Sequence, residues 1–256
     1  SPYIGTVHSF VSKIDMATPA PSFCPSAWSF AFGLVPAQTS ATQTLNITNC
    51  GNAPLDFSTI TSSVPTMTAT QSCGPVAPGD VCAATLTFTP TNSSAVSGTI
   101  SFADNTAISP QIIQVSGQGK APDLEPASNP FSFGDLLVGT QGPVVNLFVY
   151  NKGNAPLTIS NVSISGNGFS ITKDGCTGTW PVGYACAVSL TFSPQTSGAL
   201  SGTLTITSND PVHGQLPVSL IGTGDSAYAV PVISSIGTAS GTTQTVQISN
   251  GPVTLQ

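Results

Sequence analysis

Residues 30–55 read FAFGLVPAQTSATQTLNITNCGNAPL, and residues 131–157 read FSFGDLLVGTQGPVVNLFVYNKGNAPL. The phrase GNAPL begins at Gly51 in the first stretch and at Gly153 in the second. The correspondence runs on downstream in unchanged order. VCAATLTFTP (81–90) answers to ACAVSLTFSP (185–194), SGTISFADN (97–105) to SGTLTITSND (201–210), and QVSGQG (114–119) to SLIGTG (219–224). A repeat of about one hundred residues is the size of one small β-sandwich. The chain therefore reads as two tandem modules, 22–120 and 121–225, meeting at Lys120-Ala121-Pro122.

The pattern inside each repeat specifies strands. Cys82, Ala84, Leu86 and Phe88 alternate with polar or small residues, as do Cys186, Val188, Leu190 and Phe192. Such period-two alternation, bounded by Gly, Pro and Asn, is that of half-buried antiparallel strands, and no helical period is sustained anywhere. Trp28, Phe30 and Phe32 share one strand face, as do Phe131 and Phe133, and are expected in the cores. The expected fold class is all-β: tandem immunoglobulin-like sandwiches, two complete, with strand segments at both ends.

Composition narrows the function. Of 256 residues only 5% are charged; four are lysine, none is arginine, ten are acidic, and the net charge is -6. A surface so poor in cations offers nothing to a phosphate backbone, which argues against a nucleic-acid partner. No apolar run approaches the ~18 residues of a membrane-spanning helix. The 39% hydrophobic content argues against disorder, and 25 Gly with 22 Pro suits strands and turns.

Six cysteines fall at repeat-related positions. Cys73 and Cys82 correspond to Cys176 and Cys186, each pair flanking a loop that leads into a strand, and each is expected to form a local disulfide. Cys24 and Cys50 remain and belong to the first repeat alone; Glu125 and Lys152 stand in the equivalent places of the second. Metal binding is the competing reading, but the spacing lacks the close pairs of zinc sites, and the Cys-x-x-Cys of redox centres is absent. Disulfides imply an oxidising, extracellular setting.

Catalytic groups are sparse. His8 and His213 are the only histidines, and His213 lies in NDPVHGQ, which reads as an exposed turn. With a single Glu (Glu125), a glycosidase carboxylate pair has no support. Asp104 and Asp210 read as repeat-equivalent turn residues whose expected role is capping rather than calcium ligation. GTGDSA (222–227) resembles a dinucleotide fingerprint but closes a strand and precedes no helix. The chain is thus expected to be no enzyme, with no catalytic residue, metal or cofactor.

The aromatic strand followed by FG (Phe32-Gly33, Phe133-Gly134), the N-x-GNAPL turn, the paired cysteines, the F-[TS]-P turn, SGTL and the closing G-x-G together resemble the Ig-like domains of the abnormal-spindle/hydin (ASH) type, especially those of bacterial secreted choice-of-anchor D proteins. The resemblance covers residues 22–224. It implies an Ig-like fold, a modular extracellular setting and no catalytic residues. FVSKID (10–15) also resembles the end of a bacterial β-propeller repeat.

The two ends suggest assembly. TQTVQISN (243–250) matches TQTLNITN (42–49), so residues 226–256 read as the opening of a third repeat, and residues 1–21 as a strand segment. A sandwich lacking strands is completed by strand donation, and head-to-tail donation grows filaments. The residues expected to exchange are Tyr3, Ile4, Val7, Phe10, Val11 and Ile14 at one end and Val246, Ile248, Val253 and Leu255 at the other. The expected function is that of a structural subunit of an extracellular homopolymer. The alternatives are a stalk or a carbohydrate- or protein-binding module of an adhesin, engaging a glycan or surface partner, or a fragment of a longer modular surface protein. No exposed aromatic cluster for glycans is apparent in the sequence.

Overall fold

The structure, a computed structural model, describes residues 18–226 and the backbone of 232–236 and 246–249. The described residues contain strands and turns and no helix, hence none that could cross a membrane. The chain divides into two compact units between Lys120 and Ala121.

In module 1, β1 (Phe23–Pro25), β3 (Ala41–Asn49), β6 (Val81–Phe88) and β5 (Met67–Thr70) form one sheet, in the order β1-β3-β6-β5. The second sheet, β2-β8-β7-β4, is built from β2 (Ser29–Pro36), β8 (Gln111–Lys120), β7 (Ala95–Asp104) and β4 (Phe57–Ser62). The alternation seen in the sequence sorts residues onto inner faces. Leu45 and Ile47 of β3 meet Ile100 and Phe102 of β7 and Ile113 of β8 in one buried cluster, with Phe88 at its base. Burying one such aliphatic side chain stabilises by about 1.5–3 kcal/mol.

Module 2 repeats the plan with β9 (Leu124–Pro126), β10 (Phe131–Leu137), β11 (Val145–Asn151), β12 (Leu157–Ser165), β13 (Phe169–Asp174), β14 (Gly178–Trp180), β15 (Ala185–Phe192), β16 (Gly198–Ser208) and β17 (Gln215–Asp225). Its sheets run β13-β15-β11-β9 and β10-β17-β16-β12-β14. The fifth strand, β14, is new to this module. Where module 1 has a single bridge between Leu55 and Val76, the equivalent Leu157 and Trp180 begin a three-residue ladder.

The FG signature has a backbone cause. β2 runs parallel to β8, and the register slips between Ala31 and Leu34. Gly33 sits in that bulge at φ +66°, in the left-handed region that favours glycine. The parallel pair β10·β17 slips between Ser132 and Asp135 around Gly134 in the same way. The bulge turns Phe32 and Phe133 onto the core rings of Phe88 and Phe192, 5.6 and 5.7 Å away.

Trp28 departs from expectation. It precedes β2 and remains 53% exposed, with its ring 5.9 Å from that of Phe23, because the strand face begins only at Phe30.

Beyond module 2, β18 (Val232–Ile236) pairs antiparallel with β19 (Val246–Ser249), at Val232↔Ser249 and Ile233↔Ile248. Module 1 has the same register at Cys24↔Thr48 and Pro25↔Ile47. β18 thus stands in the place of β1, and β19 in that of β3. The stretch between β18 and β19, 237–245, is shorter than the 26–40 that separates β1 from β3 and carries β2.

Candidate functional site: docking turns, bridges and strand edges

The GNAPL turn is where the chain feeding each module is fastened down. Asn49 ends β3 with its amide fully buried. Its Nδ2 donates to Ala53 O and Val76 O, both at 2.8 Å, and its Oδ1 accepts from Ser22 N at 3.3 Å and Gly51 N at 3.0 Å. One side chain therefore ties the incoming segment, the turn and the β5–β6 loop together. Asn151 repeats the pattern with Ala155 O, Trp180 O, Asp123 N and Gly153 N. The second turn asparagine completes the dock: Asn52 Oδ1 accepts from Ala20 N, and Asn154 Oδ1 from Ala121 N. Gly51 and Gly153 are required by proximity, since a Cβ on either would lie 2.3 Å from a carbonyl oxygen, of Ala20 or of Ala121.

The structure pairs Cys24 with Cys50, Cys73 with Cys82, and Cys176 with Cys186. The first joins β1 to the docking turn. The other two close the connections into β6 and β15, and Cys82, Cys176 and Cys186 are buried with the cores. Beside Cys176, the Asp174 carboxylate accepts from Cys176 N, Thr177 N and Thr177 Oγ1. Burial pushes this carboxyl up, but the Thr177 hydroxyl and the two N–H bonds outweigh it, and its pKa lies below the ordinary value. Replacing Cys176 and Cys186 together by serine is expected to destabilise module 2 by about 2.5–3 kcal/mol, from the entropy of the loop released. Calorimetry checks this, with the module 1 transition unchanged.

Asp104 and Asp210 lie in corresponding turns of the two modules but not at corresponding positions. Asn105 Oδ1 accepts from Asp56 N, and the residue bonded in the same way in module 2, to Thr158 N, is Asn209. The equivalent of Asp104 is therefore Ser208, and that of Asp210 is Thr106. Asp210 is buried and does more than cap: its Oδ2 accepts from Leu124 N at 2.8 Å, and its Oδ1 from Val212 N at 2.8 Å. His213 Nδ1 lies 3.1 Å from the same Oδ2. Burial raises the Asp210 pKa, but the N–H bonds of Leu124, Val212 and His213 more than reverse this and hold it below the ordinary value. The Asp123 carboxylate completes a group whose ligand-type atoms lie within 4.8 Å of one another. Nothing in the sequence joins this group, since Asp123 lies 87 positions before Asp210 and reaches it only through the docked segment.

One exposed aromatic surface was also missed. In NLFVYN, Leu147 and Val149 point inward, which puts Phe148, 46% exposed, and half-buried Tyr150 on the outer face of β11. Lys152 Nζ sits 4.9 Å from the Tyr150 ring centroid. Module 1 carries Asn46 and Thr48 at these places.

Of the residues expected to exchange, Val246 and Ile248 lie in β19 and pair with Ile236 and Ile233. Tyr3, Ile4, Val7, Phe10, Val11, Ile14, Val253 and Leu255 lie outside the described residues, as does His8.

The family model described as HYDIN/CFA65/VesB-like, Ig-like domain, matches this chain twice, over residues 27–118 and 122–223. No curated protein matches it. Similar solved structures include a protein of unknown function from Porphyromonas gingivalis W83, 12% identical over 78% of this chain and 99% of that one, at a TM-score of 0.35. The ASH/PapD-like domain 7 of human CEP192 is 14% identical, covering 42% of this chain and 88% of its own, at 0.33. The secreted serine protease VesC of Vibrio cholerae is 15% identical, covering 76% and 51%, at 0.31. With both repeats matched and both folded as two-sheet sandwiches, the chain belongs to the HYDIN/CFA65/VesB-like Ig-like domain family.

Proposed function

We propose that this chain is a structural, non-catalytic subunit of a secreted or cell-surface bacterial assembly, joined head to tail into a homopolymer by β-strand complementation. The observation that carries the reading is the β18–β19 ribbon, which repeats the register of β1 and β3. A two-stranded ribbon is marginal by itself in water, whereas each complete module surrounds its equivalent with six or more further strands. Strands from another copy supply what the ribbon needs, and the apolar residues between Tyr3 and Ile14 suit a donor. Three disulfides fit an oxidising compartment.

Electron microscopy and size exclusion of the purified chain test the reading. Filaments are expected, and deletion of 1–17 or of 228–256 is expected to abolish them. The first deletion stops short of Ala20, which the Asn52 dock requires. A monodisperse monomer at all concentrations overturns the polymer. A second reading, a stalk module that binds glycan, is favoured by the exposed Phe148 beside Tyr150, since aromatic faces stack on sugar rings. Glycan-array binding that is lost in Phe148→Ala, with no polymer, would establish it instead.

A further inference from the structure

The two modules offer an internal comparison at the turn between their last two strands. The β7–β8 turn of module 1 and the β16–β17 turn of module 2 share the asparagine that caps β4 or β12, Asn105 or Asn209, and the second turn is one residue longer, since Ile100 pairs with Ile113 but Leu204 with Val218. Around this common frame, three positions change together. Ser22, whose N–H donates to Asn49, becomes Asp123, whose N–H donates to Asn151. Thr106 becomes Asp210, and the stretch around Ser109, one residue longer in module 2, brings in His213. In module 1 these are hydroxyls serving the turn itself: Thr106 Oγ1 donates to Asp104 Oδ1 at 2.7 Å, and Ser109 Oγ accepts from Asp104 N at 2.9 Å. In module 2 all three carry metal-ligating atoms within 4.8 Å of one another.

We propose that Asp123, Asp210 and His213 form a divalent-metal site of the zinc class, which pins the segment leading into module 2 to the β16–β17 turn. The donor set is two carboxylates and one imidazole, a borderline nitrogen and oxygen mixture that suits zinc and its transition-metal neighbours. Calcium and magnesium ask instead for an all-oxygen shell. Ligand atoms about 2.0–2.1 Å from a tetrahedral zinc stand about 3.3 Å apart. The 3.1 Å between His213 Nδ1 and Asp210 Oδ2 is close to that edge. The ion takes the place of the hydrogen between them, and the Nδ1 lone pair becomes the ligand. Asp123 closes the third corner. The Leu124 and Val212 N–H groups that hold Asp210 orient a ligating carboxylate, as outer partners do in metal sites. Charge favours a cation here as well: burial and the neighbouring carboxylates of Asp210 and Glu125 push the Asp123 carboxyl above its ordinary value, a repulsion that a cation relieves. The exposed side of His213 leaves a path from solvent and room for water as the fourth ligand.

The site is independent of polymer formation, and its test uses the untagged full chain stripped with EDTA. Isothermal titration with zinc chloride is expected to show saturable one-to-one binding. Zinc is also expected to raise the melting temperature of module 2 and leave that of module 1 in place. Asp123→Ser installs the residue of module 1, His213→Ser removes the imidazole, and both keep Asp210 with its two N–H donors. Each is expected to weaken zinc binding at least about tenfold, while Asp174→Ser, an acid of the same module outside the cluster, leaves it unchanged. Absence of saturable binding overturns the proposal, as does zinc affinity preserved in both serine variants. Calcium chloride binding as tightly as zinc chloride overturns the assignment of the metal class.

Discussion

Replacing Asn49 by alanine is expected to lower the stability of module 1 by about 3–5 kcal/mol, among the largest effects open to a polar residue in this chain. The side chain is wholly buried and makes four hydrogen bonds to backbone groups of three separate segments. Alanine leaves two carbonyls and two N–H groups behind. Ser22 N and Gly51 N are part-buried and lose their acceptor, whereas the buried Val76 O keeps Leu55 N as one donor. Each group left without a partner costs about 1–3 kcal/mol. For a module of this size the loss corresponds to a fall on the order of 15 °C in its melting temperature. Differential scanning calorimetry should show one transition displaced and the module 2 transition fixed; Asn151→Ala should show the reverse. A shift below about 3 °C would mean that water replaces the amide and that the dock is held by the backbone alone.

Gly119→Ala is expected to cost module 1 about 3–4 kcal/mol for the addition of a single methyl group. A Cβ at Gly119 would lie 1.7 Å from Asn92 O and 2.9 Å from Pro90 Cβ. The obstacle is backbone, so no rotamer relieves it. The loop that would have to yield is held from both sides: Gln38 N donates to Pro90 O, and Gly119 N to Ser94 O. Gly224, 2.1 Å from Thr196 O on the same terms, should behave likewise in module 2. Gly74→Ala is the control. A Cβ there meets nothing within 4 Å, and its effect should stay within about 0.5 kcal/mol. Urea denaturation with tryptophan fluorescence reads both, since Trp28 and Trp180 report on separate modules. Equal midpoints for Gly119→Ala and Gly74→Ala would refute the close approach.

What the sequence made legible was what local pattern decides. The alternation in VCAATLTF fixes which residues of β6 face inward, and the repeat of FG, GNAPL and G-x-G fixes two modules of one family. Less was legible where distant segments meet. GNAPL announces a turn, but nothing near Asn49 shows that its partners include Ser22 and Val76, each 27 residues away. Aligning SFADN with TITSND by their shared aspartate displaces the turn by two positions, and only the bonds of Asn105 and Asn209 restore the frame. Asp123 and His213 are unremarkable letters until Asn151 docks the segment that carries the first of them. Trp28 shows the opposite limit. Periodicity extended the strand by one aromatic too many, because the ladder to β8 starts at Ser29.

The parallel pairing of β2 with β8, and of β10 with β17, also bears on mechanics. With the Cys24–Cys50 link open, a tug on the two ends of module 1 reaches β2 near its beginning and β8 at its finish. Because the two strands point the same way, they are drawn past each other in shear, so the rungs between Phe30 and Lys120 resist in concert instead of parting one after another. Module 2 has the same arrangement between Phe131 and Asp225. In module 1 the closed Cys24–Cys50 link encloses β2 in its loop and passes an N-terminal pull straight to residue 50, so there the shear resistance is held in reserve until the link is reduced. A chain built this way is suited to carrying tension along its length.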